Sequence, residues 1–374
     1  MKKTNLSQKK NIVAMAPYDR GWSNVEFLKD CGLIPYILYK NHNCKVTFVG
    51  AKNEDWPYLD KYLNGIEVDI LSPGTVKEKK QYIEMHAQHI DCLILRGPYE
   101  TNFEIAVLYK TLNPNGRIYV GLDANSHWMD QILWYQPDFS AFMDACDVIA
   151  TSCTAMQMYL NKKWPWKIEH IPNGCYNFES QSIVPTFAQK KNRILTVSRI
   201  GTGQKANHIM LEAFALIANK IPDWDFYLVG NIANDFQPYI DTYFTHYPGL
   251  KERVHFTGPI QDKAELKNMY LSSKIFALSS VLEGGTPNVI GEALSRGCVI
   301  ATTQIDAWEE ATNYGKCGLS SPVNDVVEFA RILLQLCNDK KLEEKSKEAY
   351  LYSQNQLNME KIVARLYLML FGEE

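Results

Sequence analysis

A chain of 374 residues in which 46% are hydrophobic and 22% charged has the composition of a soluble globular protein with room for two ordinary domains, and it excludes disordered and fibrous classes. Its 39 Lys and Arg against 42 Asp and Glu give a net charge of -3, which excludes a broadly basic nucleic-acid binder and makes any anion site a local one. The basic start, residues 1–10, has no apolar segment behind it and reads as no secretory signal; no apolar run is long enough to span a bilayer; and nine scattered cysteines without a Cys-x-x-Cys pair read as reduced thiols of a cytoplasmic protein.

In chain order, the apolar run 12–16 predicts a first strand, followed by the polar, aromatic loop 17–24 that carries Asp19. Loops at the carboxyl ends of parallel strands are where open α/β sheets bind ligands, which makes Asp19 a candidate ligand contact. Short runs at 45–49, 66–71, 92–95, 118–122 and 148–150, separated by helix-like segments, predict a parallel sheet covered on both faces. His86 and His89 stand three apart on a helix without any carboxylate or cysteine cluster, so a surface face is expected there rather than a metal site. Asp123 and His127 follow the strand at 118–122; such a histidine suits a sugar hydroxyl or a leaving group, and equally a structural role. The run Asn161-Lys162-Lys163-Trp164-Pro165-Trp166-Lys167 suits a membrane surface and equally a solvated loop.

The sequence Ile168 to Gly174 closes the first half, and the polar stretch 180–192 is placed as a linker. The second half restarts the alternation with strands at 194–198, 226–229, 254–257, 275–278 and 299–302 and a short piece around Gly318. A helix over 208–221 carries the stripe Ile209, Ala213, Leu216, Ile217, and helices over 323–337 and 357–371 finish the chain. The resulting division is 1–180, 181–350, and a carboxyl-terminal helical piece, 351–374.

The most informative stretch is 279–297, Ser-Ser-Val-Leu-Glu-Gly-Gly-Thr-Pro-Asn-Val-Ile-Gly-Glu-Ala-Leu-Ser-Arg-Gly. A buried strand opens into a loop whose glycines, Gly284 and Gly285, allow a backbone to approach something bulky. Thr286 is expected as N-cap and Pro287 as first helical residue of a helix over 287–296. The amides of Asn288, Val289 and Ile290 would then point at a phosphate, because a helix start offers unpaired N–H groups and partial positive charge. Glu283 and Glu292 make no sense as partners of a phosphate, but they suit sugar or ribose hydroxyls. Arg199 and Lys205, just after the strand at 194–198, would stand on the same sheet edge and could converge on the same diphosphate. Gly201 to Ala206 also fits the Gly-x-Gly-x-x-Ala dinucleotide pattern, but the next strand ends in Gly230-Asn231 and supplies no acid for a ribose, which argues against nicotinamide or flavin. Asp223-Trp224-Asp225 precedes a strand and reads as a solvated turn. No Gly-x-Ser-x-Gly elbow or Walker loop is present.

These residues resemble the nucleotide-sugar-binding half of GT-B glycosyltransferases, in particular the large retaining family, glycosyltransferase family 4-like or "glycosyl transferases group 1", that includes many bacterial polysaccharide and glycolipid enzymes. The resemblance rests on 194–199 with Lys205, Leu228-Val229-Gly230, Phe256-Thr257-Gly258, Glu283-Gly284 through Glu292-Ala293, Glu310 to Gly315, and Ile171-Pro172-Asn173-Gly174. It implies two Rossmann-like doubly wound domains facing a cleft, with the last helix packed back on the first. It implies that Arg199 and Lys205 neutralise the donor diphosphate, that Glu283 holds the donor sugar and Glu292 the ribose, and that no metal or other cofactor is needed. The activity implied is transfer of a sugar, with anomeric retention, from a nucleotide sugar to a glycan, lipid-linked or protein hydroxyl. Two departures stand out. Eight residues separate Glu283 from Glu292 where the family has seven, and 18–24 replaces the family's diglycine loop after the first strand. A non-catalytic transferase-like subunit and a nucleotide-sugar epimerase of the same fold are the alternatives.

Overall fold

The computed structural model describes residues 9–17, 19, 21–179 and 184–372. The amino-terminal residues 1–8, Tyr18 and Arg20 of the first loop, and residues 180–183 of the polar connection lie outside the described residues.

Strand and helix alternate, and the strands form two sheets in which every pairing is parallel. The first contains β1 (Asn11–Met15), β2 (Lys45–Gly50), β3 (Glu67–Ile70), β4 (Cys92–Arg96), β5 (Arg117–Leu122), β6 (Val148–Thr151) and β7 (Ile168–His170), in the order β3-β2-β1-β4-β5-β6-β7. The second contains β8 (Lys191–Val197), β9 (Asp225–Val229), β10 (Val254–Gly258), β11 (Ser273–Leu278), β12 (Val299–Thr303) and β13 (Gly318–Ser321), in the order β10-β9-β8-β11-β12-β13. Both are doubly wound, reversing direction beside their first strand, at β1/β4 and β8/β11. Successive side chains of a strand point to opposite faces, and the second sheet uses both. Ile194, Ile275 and Val299 enter one apolar core while their neighbours Leu195, Phe276 and Ile300 enter the other.

Contacts divide the chain into two compact units, residues up to Phe178 together with Asn358 onward, and Glu179–Leu357. The last helix, Met359–Phe371, belongs to the first unit because its apolar stripe of Ile362, Val363, Leu366 and Leu370 joins the core of Ile34 and Ile37. His42 stacks on Tyr367 with centroids 4.6 Å apart, and Asn358 caps the helix by accepting from the amides of Glu360 and Lys361 at 2.9 and 3.2 Å.

Two elements go beyond the sequence reading. β7 is three residues long, too short for any periodic pattern to show. The helix Leu342–Gln356 buries Leu342 at its start and then only the small residues Ser346, Ala349 and Ser353, so its packed face shows no run of large apolar side chains, and Ser346 Oγ donates to the Gly297 carbonyl at 2.6 Å. In the second unit, Lys190 is buried and donates to four carbonyls, those of Tyr270, Leu271, Ser273 and Arg296, at 3.3, 3.1, 2.8 and 2.8 Å. Burial pulls its ammonium below the ordinary lysine value, and the carbonyl ring is what makes that position tolerable.

Candidate active site

β8 and β11 are neighbours in register, Ile194 opposite Ile275 and Leu195 opposite Phe276, so the loops that leave their carboxyl ends run side by side at the point where the strand order reverses. The first loop is built tightly. Gly201 takes φ +88°, and a Cβ there would lie 2.3 Å from the Phe236 side chain. Its amide donates to Asn207 Oδ1 at 2.8 Å, and Asn207 Nδ2 donates to Ser198 Oγ at 3.2 Å, which closes the loop onto the helix Asn207–Ile217. Ala206, at φ +43°, holds a left-handed conformation that costs a non-glycine residue energy and is fixed by its surroundings. Ser279 Oγ donates to the carbonyls of Lys205 and Ala206 at 2.9 and 3.0 Å, and the Val281 amide to that of Gln204 at 2.9 Å. The backbone of the second loop thereby fixes that of the first.

On this scaffold three of the expected residues meet. Lys205 Nζ pairs with Glu283 Oε1, both side chains being largely buried at 13% and 9% exposure. Ser280 Oγ donates to the same oxygen at 2.5 Å, while Gln204 Nε2 donates to Glu283 Oε2 at 3.3 Å and to the Leu282 carbonyl at 3.1 Å. Exposed Arg199 donates from Nη2 to Gln204 Oε1 at 2.6 Å. A carboxylate withdrawn from water needs this set of donors. Ser280 and Gln204 stand inside the stretches that the sequence reading singled out, but neither has a role there: Ser280 reaches Glu283 from three residues away in the same loop, whereas only the pairing of the two loops puts Gln204 on it.

The glycine loop departs from the expectation in detail. The helix is Asn288–Leu294 rather than 287–296, and Pro287 occupies the cap position with ψ 136° in place of Thr286, which is buried. The Ile290 amide donates to the Pro287 carbonyl at 2.9 Å, so it is not offered to a ligand, whereas among the described residues the amides of Asn288 and Val289 make no hydrogen bond. Gly285 supplies a left-handed turn at φ +90°, and Gly284 precedes it in the extra-long loop. Glu292, one turn into the helix, accepts from Tyr270 Oη at 2.8 Å. Burial and the Glu292 carboxylate hold the Tyr270 hydroxyl well above its usual pKa, so it stays protonated and donating.

Asp19 and His127 lie in the first unit. Asp19 is exposed and its Oδ1 stands 3.6 Å from Nζ of fully buried Lys79, which also donates to the Ala16 carbonyl at 3.0 Å. Asp123 faces Arg96, 3.7 Å away, and Arg96 is also ion-paired with buried Asp30. His127 is exposed and its Nε2 lies 3.2 Å from Gln131 Nε2. In the 161–167 run, Trp164 is buried against Phe139, Trp166 Nε1 donates to Asp144 at 2.7 Å, and Lys163 and Lys167 pair with Asp130 and Glu169.

Residues 191–339 match the family model described as Glycosyl transferases group 1. A search of curated proteins by sequence finds no match. Among solved structures, the chain is similar to a sucrose-phosphate synthase from Thermosynechococcus elongatus (TM-score 0.71, 16% identity, covering 97% of this chain and 99% of that one). It is also similar to HepE from Anabaena in complex with UDP (0.70, 16%, 96% and 99%). A glycosyltransferase from Rickettsia africae is a third (0.72, 15%, 98% and 100%). At these identities the likeness is one of fold, and it spans both units of the chain. Two parallel-sheet α/β units give this chain the GT-B architecture, and the segment that carries Arg199, Lys205, Glu283 and Glu292 is the one with the glycosyl transferases group 1 pattern.

Proposed function

We propose that the chain is a glycosyltransferase that moves a hexosyl group from a nucleotide sugar, a UDP-sugar in the first instance, to a hydroxyl of a glycan, lipid-linked or protein acceptor, with retention of anomeric configuration. The observation that carries this reading is the meeting of Lys205, Glu283 and, through Gln204, Arg199 at the β8/β11 switch point, on the loop that leads into the helix Asn288–Leu294, within the segment matched by the family model.

In this reaction the bond from the anomeric carbon to the diphosphate oxygen breaks with its electron pair going to that oxygen, the acceptor oxygen bonds to the carbon, and the acceptor's proton passes to the departing diphosphate. Negative charge grows on the departing diphosphate. Lys205, Arg199 and the two amides are fixed donors on that side, and such preorganised charge is worth most where water is scarce. They supply the positive charge that a metal would otherwise bring, so the proposed reaction needs none. Glu283 accepts hydroxyls of the donor sugar and Glu292 those of the ribose. Asp19 and His127, on carboxyl-end loops of the first sheet, are assigned to the acceptor. The nine free thiols fit a reducing, cytoplasmic setting, and among the described residues no helix is long and apolar enough to cross a membrane. Contact with the inner face of a membrane through the 161–167 run belongs to this proposal.

A thermal-shift screen against UDP, GDP and their sugar conjugates, without added metal, tests the reading. One nucleotide sugar should raise the melting temperature of the wild type and not of Lys205→Ala. Release of the nucleoside diphosphate should then require an acceptor; release without one, or conversion of the donor sugar alone, favours an epimerase, and no release at all a binding subunit.

A further inference from the structure

Among the described residues, the Gln204 side chain touches both the exposed cation and the buried carboxylate of the site. Its carbonyl oxygen accepts from Arg199 Nη2 at 2.6 Å, and its amide nitrogen donates to Glu283 Oε2 at 3.3 Å and to the Leu282 carbonyl at 3.1 Å. The orientation of this amide is dictated by chemistry. A guanidinium can only donate and a carbonyl can only accept, so the oxygen must face Arg199 and the nitrogen Leu282. An amide carries its donor and its acceptor on separate atoms at the end of a flexible stem without charge; a carboxylate at this position would repel Glu283, and a lysine would repel Arg199. The backbone beneath it is held by the Val281 amide, which donates to the Gln204 carbonyl at 2.9 Å, so the amide has a fixed base from which to reach both partners.

We propose that Gln204 is a positioning residue that holds Glu283 in place when a diphosphate takes over Lys205, and thereby makes the site prefer a nucleotide sugar to the bare nucleoside diphosphate. The proposal deepens the functional reading above and rests on it. Lys205 and Ser280 share Glu283 Oε1, and Gln204 holds Oε2. A diphosphate arriving at Lys205 and Arg199 weakens the Lys205 hold on Oε1 by offering a stronger anionic partner. The Gln204 amide and the Ser280 hydroxyl are then what keep the carboxylate aimed. Diphosphate affinity depends on the two cations, whereas sugar recognition depends on where Glu283 points. Loss of Gln204 therefore separates the two.

The test compares wild type, Gln204→Met and Gln204→Glu by isothermal titration with UDP, UDP-glucose, GDP and GDP-mannose, using the pair that the wild type binds. Methionine keeps the length and removes all three polar contacts; glutamate keeps the acceptor for Arg199 and sets a like charge against Glu283. Gln204→Met should hold the bare diphosphate within about threefold of wild type while affinity for the matching nucleotide sugar falls roughly tenfold or more, the scale of a lost charge-assisted hydrogen bond; in Gln204→Glu the new carboxylate beside Arg199 weakens both ligands, and the nucleotide sugar should lose roughly tenfold more than the diphosphate. A merely structural role predicts that both ligands weaken in parallel with the melting temperature, and that result, or two unchanged affinities, overturns the proposal. If Gln204→Met fails to fold, Gln204→Glu carries the comparison alone. A folded wild type that binds none of the four ligands overturns the functional reading itself, and the positioning role with it.

Discussion

The two sheets have the same winding and opposite chemistry at their switch points. Beside β1 and β4, Arg96 meets Asp30 and Asp123 while Lys79 meets Asp19, two cations against three carboxylates. Beside β8 and β11, Lys205 pairs with Glu283, Arg199 donates to the Gln204 amide, Glu292 accepts from Tyr270, and the start of the helix Asn288–Leu294 adds its amides, two cations against two carboxylates. The first edge carries an excess of carboxylate over cation, whereas the second balances its charges and adds backbone donors. Topology fixes where a ligand site can form, whereas the loop side chains decide which ligand it is.

Substitutions can break this comparison or sharpen it. The largest effect is expected for Lys205→Ala, which should lower sugar transfer on the order of a hundredfold or more by removing charge from the leaving diphosphate, read as nucleoside diphosphate released per enzyme. Unchanged turnover would remove the distinction between the two edges. Next, Lys190→Met leaves the carbonyls of Tyr270, Leu271, Ser273 and Arg296 without their shared donor, and should destabilise the second unit by about 2 kcal/mol or more in urea unfolding. A neutral result would mean that water replaces the ammonium.

A smaller effect, confined to the first unit, is expected at Asp147. Burial pushes this carboxyl up, but Lys110, Arg117 and the Ile118 amide outweigh burial and hold it below the usual carboxylate range. Its folded pKa therefore lies below the unfolded one, so its stabilisation is present above the ordinary carboxylate range and lost as pH falls through the folded value. Asp147→Asn should cost about 1 kcal/mol at neutral pH, discounted for the partly exposed partners. The gap from wild type should close in acid, and a gap that stays constant with pH would show that packing rather than charge is responsible. The smallest effect belongs to Lys167→Ala. Its exposed pair with Glu169 should leave the melting temperature within error, and a fall in sedimentation with anionic vesicles would be the sign that the 161–167 run touches membrane.

Much of the second unit's site was legible in the chain. Arg199, Lys205, Glu283 and Glu292 stand just after apolar runs, and a strand followed by glycines and a helix start has few physical uses. The first unit's site was much less so. Arg96 ends a strand without any motif, and Lys79 reaches Asp19 from the helix Val76–His86, sixty residues further along the chain. Its burial contradicts the usual exposure of lysine, so no pattern announces it. The helix Leu342–Gln356 was hidden for a related reason, since a packed face of serine and alanine carries no hydrophobic period.

The sequence by itself determined the alternation of strand and helix and the parallel character of both sheets, because apolar period and turn chemistry act over a few residues. Its glycines and cations marked where an anion could bind. Tertiary structure alone decided that Gln204 reaches Glu283 and that Tyr270 holds Glu292; the local backbone decided that Pro287, expected as first helical residue, takes the cap position expected for Thr286. The Gln204–Glu283 contact joins loops some 80 residues apart, and it exists only because β8 and β11 pair in one register, a fact of the folded sheet that no local pattern encodes.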